Sequence, residues 1–259
     1  MRRLHDNELL KMAESLRSQI GSKVEASGAN GVVIGLSGGI DSALVCKLCS
    51  DVVDTKCFML PETGISSEED LNDAKGLCEG LGVPYEIIDI HPVTRVIVDS
   101  YPSRIVPGSI QDINIRPRLR TLYLYICAND EHRLVAGTSN LTEINIGYCT
   151  KWGDNAADFL PIASLWKTEV RRLAELLEIP QAIIKKKPSA GLFLGQTDEG
   201  ELGASYDIID DILYESTVNR MTRSELYKLH DKATVDSLLD LVLRNAHKRS
   251  MPPSLETGL

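Results

Sequence analysis

The segment GLSGGIDSALVCKL, Gly35 to Leu48, sets three glycines, two serines and an aspartate between Val32-Val33-Ile34 and a stretch that reads as a helix. Glycine-rich turns from strand to helix hold phosphate. The glycines permit positive φ and a close approach of backbone N–H groups, and the free N–H groups and dipole of the following helix face the same point. Ser37 and Ser42 add hydroxyl donors. Gly35, Leu36, Ser37, Gly38, Gly39, Ile40, Asp41 and Ser42 therefore form a candidate nest for a pyrophosphate. The chain has no Gly-Lys pair, which excludes a Walker loop, and it lacks the G-x-G-x-x-G dinucleotide fingerprint. Asp41 would repel phosphate unless it holds a cation, and Mg²⁺, a hard ion that prefers carboxylate and phosphate oxygens, removes the conflict. A bare helix turn with a dipole-favoured aspartate is the plain alternative. The full S-G-G-x-D-S pattern after a buried strand argues against it.

A second polar series runs from Gly137 to Val170. Gly137-Thr138-Ser139 closes a strand-like run, and Glu143 follows Thr138 by five residues as a second carboxylate for the metal. Lys151, Asp154, Asp158 and Lys167 surround a Gly-Asp turn. Taken singly, Glu143 reads as a solvated helix residue, Lys151 as a surface charge and Asp158 as a cap. Arg116, Arg118 and Arg120 suggest a solvated helix face, but helical spacing does not bring all three to one side, so they divide between roles. Cys46 and Cys49 form a C-x-x-C among Ala43, Leu44, Val45 and Leu48. With no second C-x-x-C to complete a zinc site, they read as core thiols.

These residues need a scaffold, and an alternation of short apolar runs with helices supplies it. Asp6, as N-cap, opens an amphipathic helix with Leu9, Met12, Leu16 and Ile20 on one stripe. GVVIGL, KCFMLP, PYEIIDI and RLVAGTS read as four strands. Between them lie IDSALVCKLCSDVV, then SSEEDLNDAKGLCEGLG with Ser66 and Glu69 spaced as a capping box. A long helix over about Ile113 to Asn129 completes the series. The expected fold is α/β: a doubly wound, mostly parallel sheet buried on both faces, with ligands at the strands' carboxyl ends. From about Leu165 the pattern is almost entirely helical, which predicts a helical C-terminal part. The stretch Lys186 to Ser205 reads as a long loop and a candidate lid.

Composition narrows the classes. The chain has 259 residues, enough for a sizeable core, with 43% hydrophobic and 25% charged residues. A formal net charge of −9 argues against nucleic acid as a partner. The first twenty residues are broken by charges throughout, and no apolar run is long enough to cross a bilayer. Six cysteines in a chain of this length do not make a disulfide scaffold. The expectation is a cytoplasmic protein with free thiols and no membrane partner.

SGGIDS resembles the pyrophosphate loop of the N-type ATP pyrophosphatases, which cleave ATP to AMP and pyrophosphate while adenylating a substrate oxygen. GTSNLTEINIGYCTKWGDNAADFLPIASLWKTEV, KKPSAGLFLGQTDEGELGASYDIID and NAHKRSMPP resemble, in order, the later motifs of the NAD synthetases. The resemblance runs from Gly35 to Pro252. It implies one synthetase domain over residues 1–259 without an N-terminal glutaminase domain. The implied reaction is amidation of deamido-NAD by ammonia, with ATP as co-substrate and Mg²⁺ as metal. By position it implies that Gly35–Ser42, Thr138, Lys167 and Ser189 contact ATP and that Asp41 and Glu143 bind Mg²⁺. Arg118, Lys151, Asp158, His247 and Lys248 match positions that bind deamido-NAD. No covalent nucleophile is implied. The family also implies a homodimer, with free ammonia as the direct donor and a separate glutaminase as an alternative source. A tRNA-modifying pyrophosphatase, of thiolation or lysidine type, is the rival reading of the same loop. Gly191, Pro117, Trp152 and Asn155 depart from the family pattern.

Overall fold

In the computed structural model, residues 4–188 and 197–252 are described. The order begins with α1 (Asp6–Ser27), β1 (Val32–Gly35), α2 (Ile40–Ser50), β2 (Thr55–Met59), α3 (Glu68–Leu81) and β3 (Tyr85–Ile87). It continues with α4 (His91–Ser100), α5 (Ile110–Ile113), α6 (Ile115–Glu131), β4 (Leu134–Val135) and α7 (Leu141–Ile146). The C-terminal part holds α8 (Lys167–Leu176), α9 (Gln181–Ile184), α10 (Asp198–Leu202), α11 (Tyr206–Thr217), α12 (Arg223–Leu226) and α13 (Lys232–Arg244), then a 3₁₀ turn at Ala246–Lys248.

The strands pair in parallel in the order β3-β2-β1-β4. The period-two alternation of side chains explains why the sheet is buried on both faces. Val32 and Ile34 of β1, with Cys57 and Met59 of β2, pack under α1, α2, α3 and α8. Val33, Phe58 and Val135 face α4 and α6 instead. Helices therefore cover both faces, as a doubly wound sheet requires. The order reverses between β1 and β4, so their carboxyl ends open the crevice in which such sheets bind ligands. α11, α12 and α13 bury a core of their own around Tyr206, Ile209, Leu213, Val235 and Leu238. This group rests on α7 and α8.

Several local expectations shift. The cap of α1 is His5, not Asp6: Glu8 accepts the His5 N–H at 2.9 Å, and Asp6 becomes the first helical residue. Ser66 does not cap α3, because its hydroxyl accepts the Glu62 N–H at 2.8 Å in the preceding turn. Ser67 caps instead and accepts from the Asp70 N–H at 3.3 Å. The long helix expected over about Ile113 to Asn129 is α6, preceded across Asn114 by the short α5, and Pro117 falls in its first turn, where a missing N–H costs nothing. The stretch after Lys186 is not a bare loop, since α10 occupies Asp198–Leu202. Cys46 and Cys49 are fully buried core thiols. Among the described residues no helix is long and apolar enough to cross a membrane.

Candidate active site

The loop after β1 is shaped by its own hydroxyls. Ser42 Oγ accepts the Ser37 N–H at 3.2 Å and donates to the Gly39 carbonyl at 2.9 Å, while Ser37 Oγ accepts the Gly39 N–H at 3.2 Å. Gly38 has φ +80°, and a Cβ there would lie 2.2 Å from the Asp70 carbonyl oxygen, so only glycine fits. α2 then starts at Ile40 without a side-chain cap. Its first N–H groups are left for a ligand at the positive end of the helix dipole.

The loop after β4 comes alongside. At Gly137 a Cβ would meet Leu160 Cδ2 at 2.5 Å and Ala157 Cβ at 2.7 Å, which explains a glycine between two packed segments. Thr138 follows, half-buried. Asn140 then ties the two loops together. Its Oδ1 accepts the Glu143 N–H at 3.0 Å, capping α7, and its Nδ2 donates to Asp41 Oδ1 at 2.8 Å. Asn140 was no candidate from the motifs above, yet Asn-x-x-Glu is a capping-box spacing that marks the start of α7.

Asp41 and Glu143, 102 positions apart in the chain, share one cation: Lys167 Nζ bonds Asp41 Oδ2 and lies 3.5 Å from Glu143 Oε1. Lys167 is only 2% exposed. Burial opposes its charge, but Asp41 and Glu143 outweigh burial and hold the ammonium charged above its ordinary range. Burial, and then the like charge of Asp41, pushes the Glu143 carboxyl up to about 8. Two crowded carboxylates that need a cation between them are oxygen donors suited to a hard divalent ion. Asp198, also not singled out from sequence, sits behind them. It is buried and accepts from Tyr206 Oη at 2.9 Å and Tyr148 Oη at 3.2 Å. The Tyr206 ring lies 5.2 Å from Lys167 Nζ.

The remaining sequence-predicted residues are less tightly gathered. Arg118, exposed at the start of α6, donates to the Lys151 carbonyl at 3.2 and 3.3 Å. Lys151 Nζ lies 5.4 Å from the Trp152 ring centre. Arg116 pairs with Glu62 at 2.6 Å, and Arg120 donates to the Leu60 carbonyl at 3.0 Å, so the three arginines do divide. The Asp158 carboxylate holds the edge of β4, accepting the Val135 N–H at 2.7 Å and Tyr125 Oη at 3.3 Å. Lys248 Nζ donates to the Gly147 and Cys149 carbonyls at 2.8 Å each, at the C-terminus of α7. It also lines a cavity of about 160 Å³ with Ser139, Glu143 and Asn155. His247 is exposed on the 3₁₀ turn. Ser189 and Gly191 lie outside the described residues.

Comparison with known proteins adds an independent line. A family model described as NAD synthase matches residues 12–252. An NH(3)-dependent NAD(+) synthetase of Archaeoglobus fulgidus is 42% identical over 247 residues, covering 94% of this chain and 95% of that protein. Among solved structures, an NMN synthetase from Francisella tularensis matches with a TM-score of 0.86 at 34% identity, over 96% of this chain and 99% of that one. An NH3-dependent NAD synthetase from Campylobacter jejuni, solved with a nitrate ion, matches with a TM-score of 0.81 at 33% identity, over 96% and 99%.

Proposed function

The chain belongs to the NAD synthase family, and from that premise we propose that it converts deamido-NAD to NAD with ammonia and ATP. The observation that carries this reading is the meeting of Asp41, Glu143 and Lys167 at the mouth of the Ser37–Ser42 loop. A carboxylate does not condense with ammonia at neutral pH, because it repels nucleophiles and lacks a leaving group. Adenylation removes both obstacles. The nicotinate oxygen attacks the α-phosphorus of ATP and pyrophosphate departs. Ammonia then adds to the acyl carbon, and AMP leaves with the former carboxylate oxygen.

No side chain needs to become covalently attached, so the chain's task is positioning and charge stabilisation. The Gly38 turn and the uncapped start of α2 receive the departing pyrophosphate. Asp41 and Glu143 would hold Mg²⁺, which supplies positive charge to the phosphate oxygens when bound. Lys167 then adds its fixed charge at the reacting phosphate, where Thr138 and Ser189 complete the ATP contacts. Arg118 and Lys151, neighbours at the start of α6, offer cationic groups to the dinucleotide diphosphate. Lys248 and His247 face the same substrate, and Asp158 orients the segment between them and β4.

A second copy of the chain completes the assembly. Val96 and Ile97 of α4, Tyr101 after it, and Leu122 and Ile126 of α6 expose apolar side chains, the last two following Arg118 at four-residue steps on one helix face. Continuity of this face with the dinucleotide residues favours a homodimer with a site near the contact. Six unpaired thiols suit a reducing cytoplasm.

The experiment is an incubation with Mg²⁺ and ATP, with ammonium or glutamine as donor. The acceptor is deamido-NAD or its mononucleotide counterpart, the control that the Francisella likeness calls for. NAD formed with matching AMP from ammonium, at a higher kcat/KM for the dinucleotide, supports the reading. AMP without NAD overturns it, and a requirement for glutamine moves the nitrogen source to a separate glutaminase.

A further inference from the structure

α8 begins under unfavourable conditions. Its first residue is Lys167, a cation at the positive end of a helix dipole and 2% exposed. Three of its opening N–H groups are met by buried side chains. Glu169 accepts the Trp166 N–H at 3.0 Å, Thr142 Oγ1 accepts the Lys167 N–H at 2.9 Å, and Asp210 Oδ2 accepts the Thr168 N–H at 2.8 Å. Thr142 Oγ1 donates its own proton to Asp210 Oδ1 at 2.5 Å. A hydroxyl has one proton, so the direction of this chain is set by the carboxylate at its end. Thr142 is the residue before Glu143. The Thr142 hydroxyl therefore joins the backbones carrying Glu143 and Lys167 directly, and Asp210 of α11, 68 positions away from Thr142, braces that link from behind.

Asp210 is 0% exposed. Among the described residues no lysine, arginine or histidine forms an ion pair with it. A buried carboxylate without a cation is costly, and burial accordingly raises its pKa. Both carboxylate oxygens accept, and an amide of the same volume would offer only one acceptor to the two donors, so the carboxylate alone holds the Thr142 hydroxyl and the start of α8 together. We propose that Asp210, acting through Thr142, is a positioning residue for the reaction: it fixes the start of α8 against α7 so that Lys167 and Glu143 meet Asp41. Asp210 touches no substrate in this account. Its role rests on the adenylation reading given above.

The test compares Asp210→Asn, Thr142→Val and Thr142→Ser with the parent, measuring kcat and KM for each substrate, the melting temperature, and its rise on adding Mg·ATP. Asp210→Asn keeps the shape but removes the charge and one of the two acceptors, and Thr142→Val removes only the hydroxyl. A positioning role predicts a fall in kcat of about 10- to 100-fold for both variants. KM for deamido-NAD should stay within about twofold, the Mg·ATP melting shift should shrink, and Thr142→Ser should recover most of the activity. A lowered melting temperature with kcat within about twofold of the parent, and an unchanged Mg·ATP shift, would overturn the proposal and leave Asp210 a helix cap. If Asp210→Asn does not fold, the contrast between Thr142→Val and Thr142→Ser decides by the same readouts. A parent that forms no NAD at all would overturn the functional reading instead.

Discussion

At the scale of single residues, the account rests on charge. Asp41 accepts from both Asn140 and Lys167, and the metal-binding role proposed for it depends on a formal negative charge. Asp41→Asn keeps the shape and one acceptor but loses that charge. Turnover should fall by roughly 10²–10³-fold with the circular dichroism spectrum unchanged, and steady-state NAD formation measures it. Glu143 gives a second prediction. Its carboxyl is raised in the folded chain from 4.5 to about 8, by burial first and by Asp41 second. Between those values the folded state binds more protons than the unfolded state, so this group's contribution to stability falls as pH rises. In metal-free protein the melting temperature should drop between about pH 5 and pH 8. Glu143→Gln should flatten that slope, as thermal melts across the range would show. Asp41, Glu143 and Lys167 were legible in the sequence because each lies in a recognisable motif. Asp210 and Asp198 were not, since each lies among other acids in the stretch QTDEGELGASYDIIDD and no local sign marks which of them turns inward.

At the scale of elements, the loop between β1 and α2 depends on one backbone conformation. Gly38→Ala would place a methyl 2.2 Å from the Asp70 carbonyl oxygen at φ +80°, so loop or α3 must move. The strain is on the order of 1–3 kcal/mol. The expected outcome is a lower urea midpoint and a raised KM for ATP, with KM for deamido-NAD changed less. The cap of α3 makes a simpler case. Ser67→Ala should cost about 1 kcal/mol, read by urea unfolding, because Ser67 and not Ser66 accepts from the start of the helix. Two consecutive serines followed by two glutamates leave the register ambiguous in sequence. The turn at Glu62 settles it by engaging the first hydroxyl. The strands and their order of appearance were legible, since short β-branched runs between helices have few alternatives. The short α5 before Asn114 was not, because one turn of helix shows no periodicity of its own.

For the whole molecule, the sheet's switch point between β1 and β4 accounts for a site assembled from segments more than a hundred positions apart. The sequence implied that crevice through its alternation of strands and helices. It did not reveal how the C-terminal helices close behind it, since α11 and α13 carry ordinary amphipathic patterns and find their places by packing on α7 and α8. The homodimer proposed above would use the exposed apolar residues of α6. Replacing both Leu122 and Ile126, each more than half exposed, by aspartate should leave the monomer folded and halve the mass seen by sedimentation. An unchanged mass would place the subunit contact elsewhere.

The central claim is that the carboxylate of deamido-NAD is activated by adenylation before ammonia arrives. It is tested most directly with deamido-NAD carrying ¹⁸O in its carboxylate, incubated with ATP, Mg²⁺ and ammonium, followed by mass spectrometry of the products. The account predicts one ¹⁸O atom in AMP for each NAD formed, and unlabelled pyrophosphate. Unlabelled AMP alongside labelled inorganic phosphate or water would contradict it, because the carboxylate oxygen would then have left by a different route.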